Sequence, residues 1–340
     1  MVRLPREGLE LRLGAAAAHA FSAHHAGLTA EQAGQVGVDL DARRRLVQLR
    51  VLVPCDAAQV IARGMVSATR GGSNGPRLDF SELEAQFVLI GSPVDFAQVG
   101  RGPCYLAPSL IRVHLEQENV ALQDLGNLAW FPSEGLLEYG KRLSHAVAIA
   151  KDRGATPILL GGDHALSYFS IRAIADRGRR IGVVQFDAHN DLGLSEAPSL
   201  DELTHANFAA SVHQLPIEFL LQVGVRTSQL RCASGRGPEF HQILDTEVST
   251  FGEVLSEMLR RVPVDELYVS VDMDCLDPNL VPDVTTPLGG GMREAELLEC
   301  LRLAIVSAPL AGIDIVEVCG GPSKGTAAHA AAILINAIVA

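Results

Sequence analysis

Val183-Val184-Gln185-Phe186-Asp187-Ala188-His189-Asn190-Asp191 is an apolar run that breaks into Asp, His and Asp at every second position. The uninterrupted run from Ile181 to Asp187 predicts a strand buried on both faces, the kind found in parallel sheets covered by helices. In extended chain, residues i, i+2 and i+4 lie on one side. Asp187, His189 and Asp191 are therefore expected to project together from the strand's carboxyl end. Two carboxylates and an imidazole meeting there suit a divalent cation. Val269-Ser270-Val271-Asp272-Met273-Asp274 repeats the device. Two such segments point to a two-metal site, and sites of that kind commonly perform hydrolysis.

Working outward, apolar runs alternate with helical stretches from residue 86 onward. Strands are expected at Gln86 to Gly91, Asn119 to Leu125, Thr156 to Gly161, Ile181 to Asp187, Phe219 to Gly224, Leu267 to Asp272 and Ala311 to Val318. Helices are expected at Ser133 to Lys151, Ala165 to Asp176, Met292 to Ile305 and Thr326 to Ala340. This alternation predicts an α/β domain over 81–340, with a parallel sheet between helical layers. Ligands of such sheets bind outside the carboxyl ends of the strands, where the acidic motifs fall. Residues 1–80 read as an N-terminal extension of unknown role. Within it, Arg43 to Val53 reads as a strand or short helix, and Gly71-Gly72-Ser73-Asn74-Gly75-Pro76 is a loop by its turn residues.

Composition narrows the function. The 340 residues are 48% apolar and carry a net charge of −12. That balance argues against a nucleic-acid or anionic-membrane partner, which needs a basic footprint, and mildly favours a small cationic substrate. No window approaches the roughly 18 uninterrupted apolar residues of a spanning helix. The Ala-rich Leu13 to Ala20 lacks the large apolar residues of a signal peptide. Six scattered cysteines form no C-x-x-C pair, so a cytoplasmic protein with reduced thiols is expected.

Leu159-Leu160-Gly161-Gly162-Asp163-His164 closes another strand. Its glycines permit a sharp turn and close backbone approach, with His164 pointing into the crevice. Asp163 either orients that imidazole or caps the next helix. An Asp at a strand end also commonly caps a helix or binds loop amides. Taken together, however, four aspartates facing one crevice (Asp187, Asp191, Asp272 and Asp274) repel unless cations neutralise them. Oxygen-rich ligation with two imidazoles suits Mn²⁺ rather than a structural zinc.

These motifs resemble the arginase/agmatinase (ureohydrolase) family. That family carries G-G-D-H, D-A-H-x-D and S-x-D-x-D-x-x-D-P, seen here as Gly161 to His164, Asp187 to Asp191 and Ser270 to Pro278. Gly102 to Arg112, Thr286 to Gly291 and Asp314-Ile315-Val316-Glu317-Val318 match further, and the likeness covers about residues 86 to 340. It implies the three-layer α/β/α arginase-like fold and a hydrolase of linear guanidino or amidine C–N bonds with two Mn²⁺ per chain. By resemblance the metal ligands are His164, Asp187, His189, Asp191, Asp272 and Asp274: Asp187 and Asp272 complete the coordination shared around the metal pair, Asp191 and Asp272 are favoured as bridges, His164 sits on one ion, and His189 and Asp274 sit on the other. The implied nucleophile is a hydroxide held between the two ions. Glu317 is implied as the carboxylate that receives the guanidinium. His205 is implied as proton shuttle or substrate contact, with Asn207 beside it at the substrate. His213 lies close in sequence, and either histidine also fits a helix surface. A homo-oligomer, trimer or hexamer, is implied as well.

The departures concern the substrate. Gly193 stands where arginases carry an Asn that helps to hold the α-carboxylate, and Thr227, Ser228 and Gln229 include no acid for an α-amino group. Both favour a guanidino compound without an amino-acid head, agmatine first. Asp283 and Cys319-Gly320 depart from the agmatinase pattern. Tyr105 and Trp130 are candidates for the entrance. The alternatives are a guanidino-acid hydrolase or a formimidoylglutamase, whose substrate carboxylate needs a cation such as Arg226 or Arg101. An alternative of another class is a catalytically silent regulatory or assembly homologue, which six intact ligands disfavour.

Overall fold

The apolar runs pair side by side, because each carries more buried surface than a single neighbour can cover. In the computed structural model the described residues are 2–4, 9–11, 65–66, 85–96, 104–115, 122–128, 130, 134–193, 199–227, 237–320 and 325–339. The strands are β1 (Val2–Leu4), β2 (Leu9–Leu11), β3 (Met65–Val66), β4 (Phe87–Gly91), β5 (Leu122–Leu128), β6 (Thr156–Leu160), β7 (Ile181–Phe186), β8 (Phe219–Val225), β9 (Glu239–Leu244), β10 (Glu266–Asp272) and β11 (Leu310–Val316). β1 and β2 pair only with each other; the rest form one sheet in the order β3-β5-β4-β6-β11-β10-β7-β8-β9. β4 to β11 run parallel throughout. β3, from the expected extension, adds antiparallel to β5 at the edge. The stretches Arg43 to Val53 and Gly71 to Pro76 lie outside the described residues.

Seven helices among the described residues cover the sheet: α1 (Ala107–Leu115), α2 (Leu136–Asp152), α3 (Leu166–Ala175), α4 (Phe208–Val212), α5 (Phe251–Arg261), α6 (Glu294–Ser307) and α7 (Gly325–Val339). Strand alternation sorts the core into two layers. Val184, Phe186, Leu221, Val223, Val269 and Val271 pack with α1, α5, α6 and α7. Val183, Leu220 and Tyr268 pack on the other face with α2, α3 and α4. In α2 the buried Tyr139, Leu143, Ala146, Val147 and Ala150 follow helical spacing, which lays one face on the sheet. The result is the expected three-layer α/β/α fold with a parallel central sheet. Among the described residues no helix is long and apolar enough to cross a membrane.

The expected strands recur, with informative shifts. The strand expected to reach Asp187 stops at Phe186, and the one expected to reach Val318 stops at Val316 because Glu317 turns to φ 61°. β9 escaped notice because it is an edge strand in which only Ile243 is buried, so no apolar run marks it. What positions the site is the sheet order. The adjacent strands β6, β11, β10 and β7 each end in one of the acidic or histidine motifs, so four loops converge at the sheet centre.

Side-chain size is matched across the strands. Gly182 on β7 pairs with Phe219 on β8, and a Cβ at Gly182 would run into the Phe219 ring. The missing side chain makes room for a fully buried aromatic. Phe219→Ala is expected to destabilise the protein by about 3–5 kcal/mol, the cost of a large core truncation, measured by urea unfolding.

Candidate metal centre

Turns, not strand alternation, bring the acidic motifs together. Asp187 continues the β7 parity from Gln185, but the chain leaves the strand there. The backbone N–H of His189 donates to Asp187 Oδ1 at 2.7 Å, and that of Asp274 donates to Asp272 Oδ1 at 2.9 Å. Each carboxylate thereby folds the residue two places on back toward itself. The expectation that an extended strand aligns Asp187, His189 and Asp191 is corrected accordingly. Asp163 makes a similar turn, accepting from Ala165 N at 2.9 Å and from Phe96 N at 3.1 Å. It thus serves the helix start and the loop after β4. Among the described residues, Asp191 and Glu317 are the non-glycine residues with positive φ, at 46° and 61°. Such conformations cost of order 1–3 kcal/mol and persist only where the surroundings enforce them. Asp191 O accepts from Ala209 N, Glu317 N donates to Gly162 O, and Glu317 O accepts from Thr285 N.

The side chains form two groups. Around His164 Nδ1 lie Asp272 Oδ2 at 3.1 Å, Asp187 Oδ2 at 3.3 Å and Asp191 Oδ2 at 3.4 Å. Around His189 Nδ1 lie Asp274 Oδ2 at 2.9 Å and Asp187 Oδ1 at 3.6 Å. His164, Asp187 and Asp191 have the spacing of one cation site; Asp187, His189 and Asp274 have that of a second. Asp187 belongs to both groups. His164 Nδ1 is buried and, despite three carboxylates nearby, is in hydrogen-bond geometry with none of them. Donor atoms gathered around a point without bonding one another fit a cation between them.

The electrostatics agree. Burial lowers the basicity of both imidazoles, yet the carboxylates outweigh it. His164 is raised well above the usual range by Asp187, Asp191 and Asp272, and His189 is pushed up to about 12 by Asp187 and Asp274. Burial and then the Asp187 charge push the Asp191 carboxyl up to about 8. Burial and the charges of Asp274 and Asp187 raise Asp272 well above the carboxylate range. Burial acts to raise Asp187 as well, but His164 and His189 outweigh it and hold this carboxyl low. Dications bound among these groups would compensate the gathered negative charge.

His164 is held from behind. Its Nε2 lies 3.0 Å from Ser270 Oγ, which donates to Asp314 Oδ1 at 2.6 Å, and the Tyr268 hydroxyl donates to Asp314 Oδ2 at 2.7 Å. This leaves Nδ1 as the nitrogen facing the carboxylates. Ser270 and Asp314 lie within the quoted motifs, but no supporting role was expected of either. Their signal was a polar position two before Asp272 on a strand otherwise apolar.

The other expected residues fall as follows. Glu317 is 5% exposed; its Oε1 accepts from His164 N at 2.6 Å, and burial and then the Asp163 charge push its carboxyl up to about 8. His205 is half-buried in the turn before α4. Asn207 uses its amide on the loop itself, accepting from Thr204 N and donating to Glu202 O, both at 2.8 Å. His213 is buried, with Nε2 2.9 Å from Pro238 O, a packing role. The Arg226 guanidinium donates to the carbonyls of Asp274, Cys275 and Leu288, so it braces the β10 loop. Arg101, Ser228 and Gln229 lie outside the described residues. Tyr105 and Trp130 are exposed.

With this geometry in place, comparison with known proteins is informative. Residues 85–340 match the Arginase family. A formimidoylglutamase of Halalkalibacterium halodurans is 29% identical over 253 residues, covering 68% of this chain and 79% of that protein. An agmatinase of Pyrococcus horikoshii is 28% identical over 280 residues, covering 78% and 94%. A crystal structure described as a hypothetical agmatinase from Burkholderia thailandensis superimposes with a TM-score of 0.65 at 27% identity, covering 75% of this chain and 85% of that one. Fold and site define a hydrolase that acts on C–N bonds of amidines and guanidines. The chain belongs to the Arginase family.

Gly193 marks where the loop beyond the motif is constrained. Its φ is +59°, and an added Cβ would lie 2.7 Å from Asn207 Cβ. Gly193→Ala is expected to destabilise the protein by about 1–3 kcal/mol, read by thermal unfolding. A wild-type midpoint would show that the loop does not need this glycine.

Proposed function

We propose that the chain is a two-manganese hydrolase of a linear guanidino compound, with agmatine as first substrate and urea as product. The observation that carries it is the sharing of Asp187 between two ligand groups. A carboxylate presents about four lone-pair positions. Oδ1 accepts from His189 N and Oδ2 from the Gln185 amide, which leaves one position on each oxygen. His164 and Asp191 would complete one ion's shell and His189 and Asp274 the other's, with Asp272 Oδ2 3.1 Å from His164 Nδ1 beside the first. Oxygen-dominated ligands with one imidazole per ion favour Mn²⁺.

Bound manganese would supply a nucleophile at neutral pH by lowering the pKa of coordinated water. A guanidinium is resonance-stabilised, so a strong nucleophile alone is not enough; the carbon must also be aimed. Glu317 is suited to that, being a buried carboxylate pinned through Oε1 to the His164 amide. It would receive the planar N–H pair of the substrate. His205, in the turn before α4, is the group suited to protonate the leaving amine near pH 7. Asn207 supports this through its loop bonds more than by direct contact. The commitment of Arg226 to three carbonyls weighs against its holding a substrate carboxylate, which favours agmatine over formimidoylglutamate. Among the described residues the buried Cys104, Cys275, Cys300 and Cys319 form no disulfide, which suits a reducing cytoplasm.

The test is metal analysis with a substrate screen. Protein prepared with Mn²⁺ is expected to carry about two ions per chain and to release urea from agmatine faster than from arginine, guanidinobutyrate or guanidinopropionate. Formamide from formimidoylglutamate without urea from any guanidine would replace this reading. No product from any of them, with both ions bound, would leave the silent homologue. Glu317→Gln is expected to lower kcat/KM by about 10–100-fold, the worth of a hydrogen bond to a charged group, with both ions retained.

A further inference from the structure

Three glutamines on adjacent strands line up toward Asp187. Gln185 on β7 pairs in register with Gln222 on β8, which pairs with Gln242 on β9. Gln185 and Gln222 are buried, at 1% and 0% exposure, while Gln242 is partly exposed. Gln242 Nε2 donates to Gln222 Oε1 at 2.7 Å, Gln222 Nε2 donates to Gln185 Oε1 at 2.9 Å, and Gln185 Nε2 donates to Asp187 Oδ2 at 2.7 Å. We propose that these residues are a positioning ladder that fixes how Asp187 presents its carboxylate to two metal ions.

The direction of the ladder follows from its end. An ionised carboxylate only accepts, so Gln185 must turn its NH₂ to Asp187 and its oxygen outward. That oxygen requires a donor from Gln222, whose own oxygen then requires one from Gln242. Each amide orientation is thereby set from the metal side. Gln222 has a second duty: its other N–H donates to Asn190 O at 2.6 Å. That carbonyl precedes Asp191, the residue held at φ 46°. The ladder therefore grips both the shared carboxylate and the peptide that carries the next ligand. Buried amides left half-bonded are costly, so breaking one link is felt at the next. Outer-shell partners of this kind are worth roughly 10–100-fold in metal affinity.

This inference rests on the two-metal reading above, and the experiment separates the two. Mn²⁺ is titrated into metal-free wild type, Gln185→Met, Gln242→Met and the double variant, followed by calorimetry and by electron paramagnetic resonance. Wild type is expected to take up two ions and to show the spectrum of an exchange-coupled pair. Gln185→Met is expected to bind about 10–100-fold more weakly and to show isolated Mn²⁺ at the same loading. Gln242→Met is expected to lose less, and the two losses are expected to be less than additive in the double variant, because Gln242 acts in part through Gln185 and in part through the Gln222 bond to Asn190 O. If Gln185→Met does not fold, Gln242→Met alone decides: weakened Mn²⁺ binding supports the ladder, and wild-type binding overturns it. Wild-type affinity with a coupled spectrum in folded Gln185→Met, or additive losses in the double variant, would also overturn it while leaving the two-metal reading intact. No uptake by wild type would overturn both.

Discussion

Buried like charge is the constraint on which the rest of the structure depends. Asp187, Asp191, Asp272, Asp274 and Glu317 are each 9% exposed or less, and they lie at the carboxyl ends of neighbouring strands. Carboxylates removed from water cost several kcal/mol each unless charge or hydrogen bonds compensate. Two imidazoles supply part of that, as their raised basicity shows. Backbone N–H groups supply more, at Asp187, Asp272, Asp274 and Glu317. The remainder is a deficit of positive charge centred between His164 and His189, and cations there would remove it.

The fold answers that constraint with rigidity. Placing the last two strands, β10 and β11, between β6 and β7 brings four loops to one point. Arg226 ties the Asp274 and Cys275 carbonyls to Leu288, so the β10 loop cannot relax away from its repelling neighbours. Gly162 lies so close to the Val94 carbonyl that a side chain would collide with it, which locks the His164 loop against the loop after β4. The left-handed conformations persist because Glu317 is bonded to other loops through both its N–H and its carbonyl, and Asp191 through its carbonyl to Ala209 of α4.

Much of this was legible in the sequence, for local reasons. Runs such as Ile181 to Phe186 announce buried parallel strands, and Asp, His and Gly at their ends announce a crevice. Six candidate ligands could be named because the motifs place them within a few residues of a strand end. What stayed hidden depends on partners brought together by sheet order. Gln185, Gln222 and Gln242 become a ladder only when β7, β8 and β9 lie in register, and Ser270 finds Asp314 only because β10 and β11 adjoin. The turn at Asp187 was hidden as well, since strand alternation suggested equal projection of Asp187, His189 and Asp191, whereas the His189 N–H returns to one oxygen of Asp187 and the other oxygen lies toward His164.

The central claim is that Asp187 joins two cations. Anomalous diffraction at the manganese edge, on crystals grown with Mn²⁺, tests it most directly. The account predicts two peaks about 3.5–4 Å apart, each in contact with a different oxygen of Asp187. A single peak, or two peaks of which Asp187 touches only one, would contradict it.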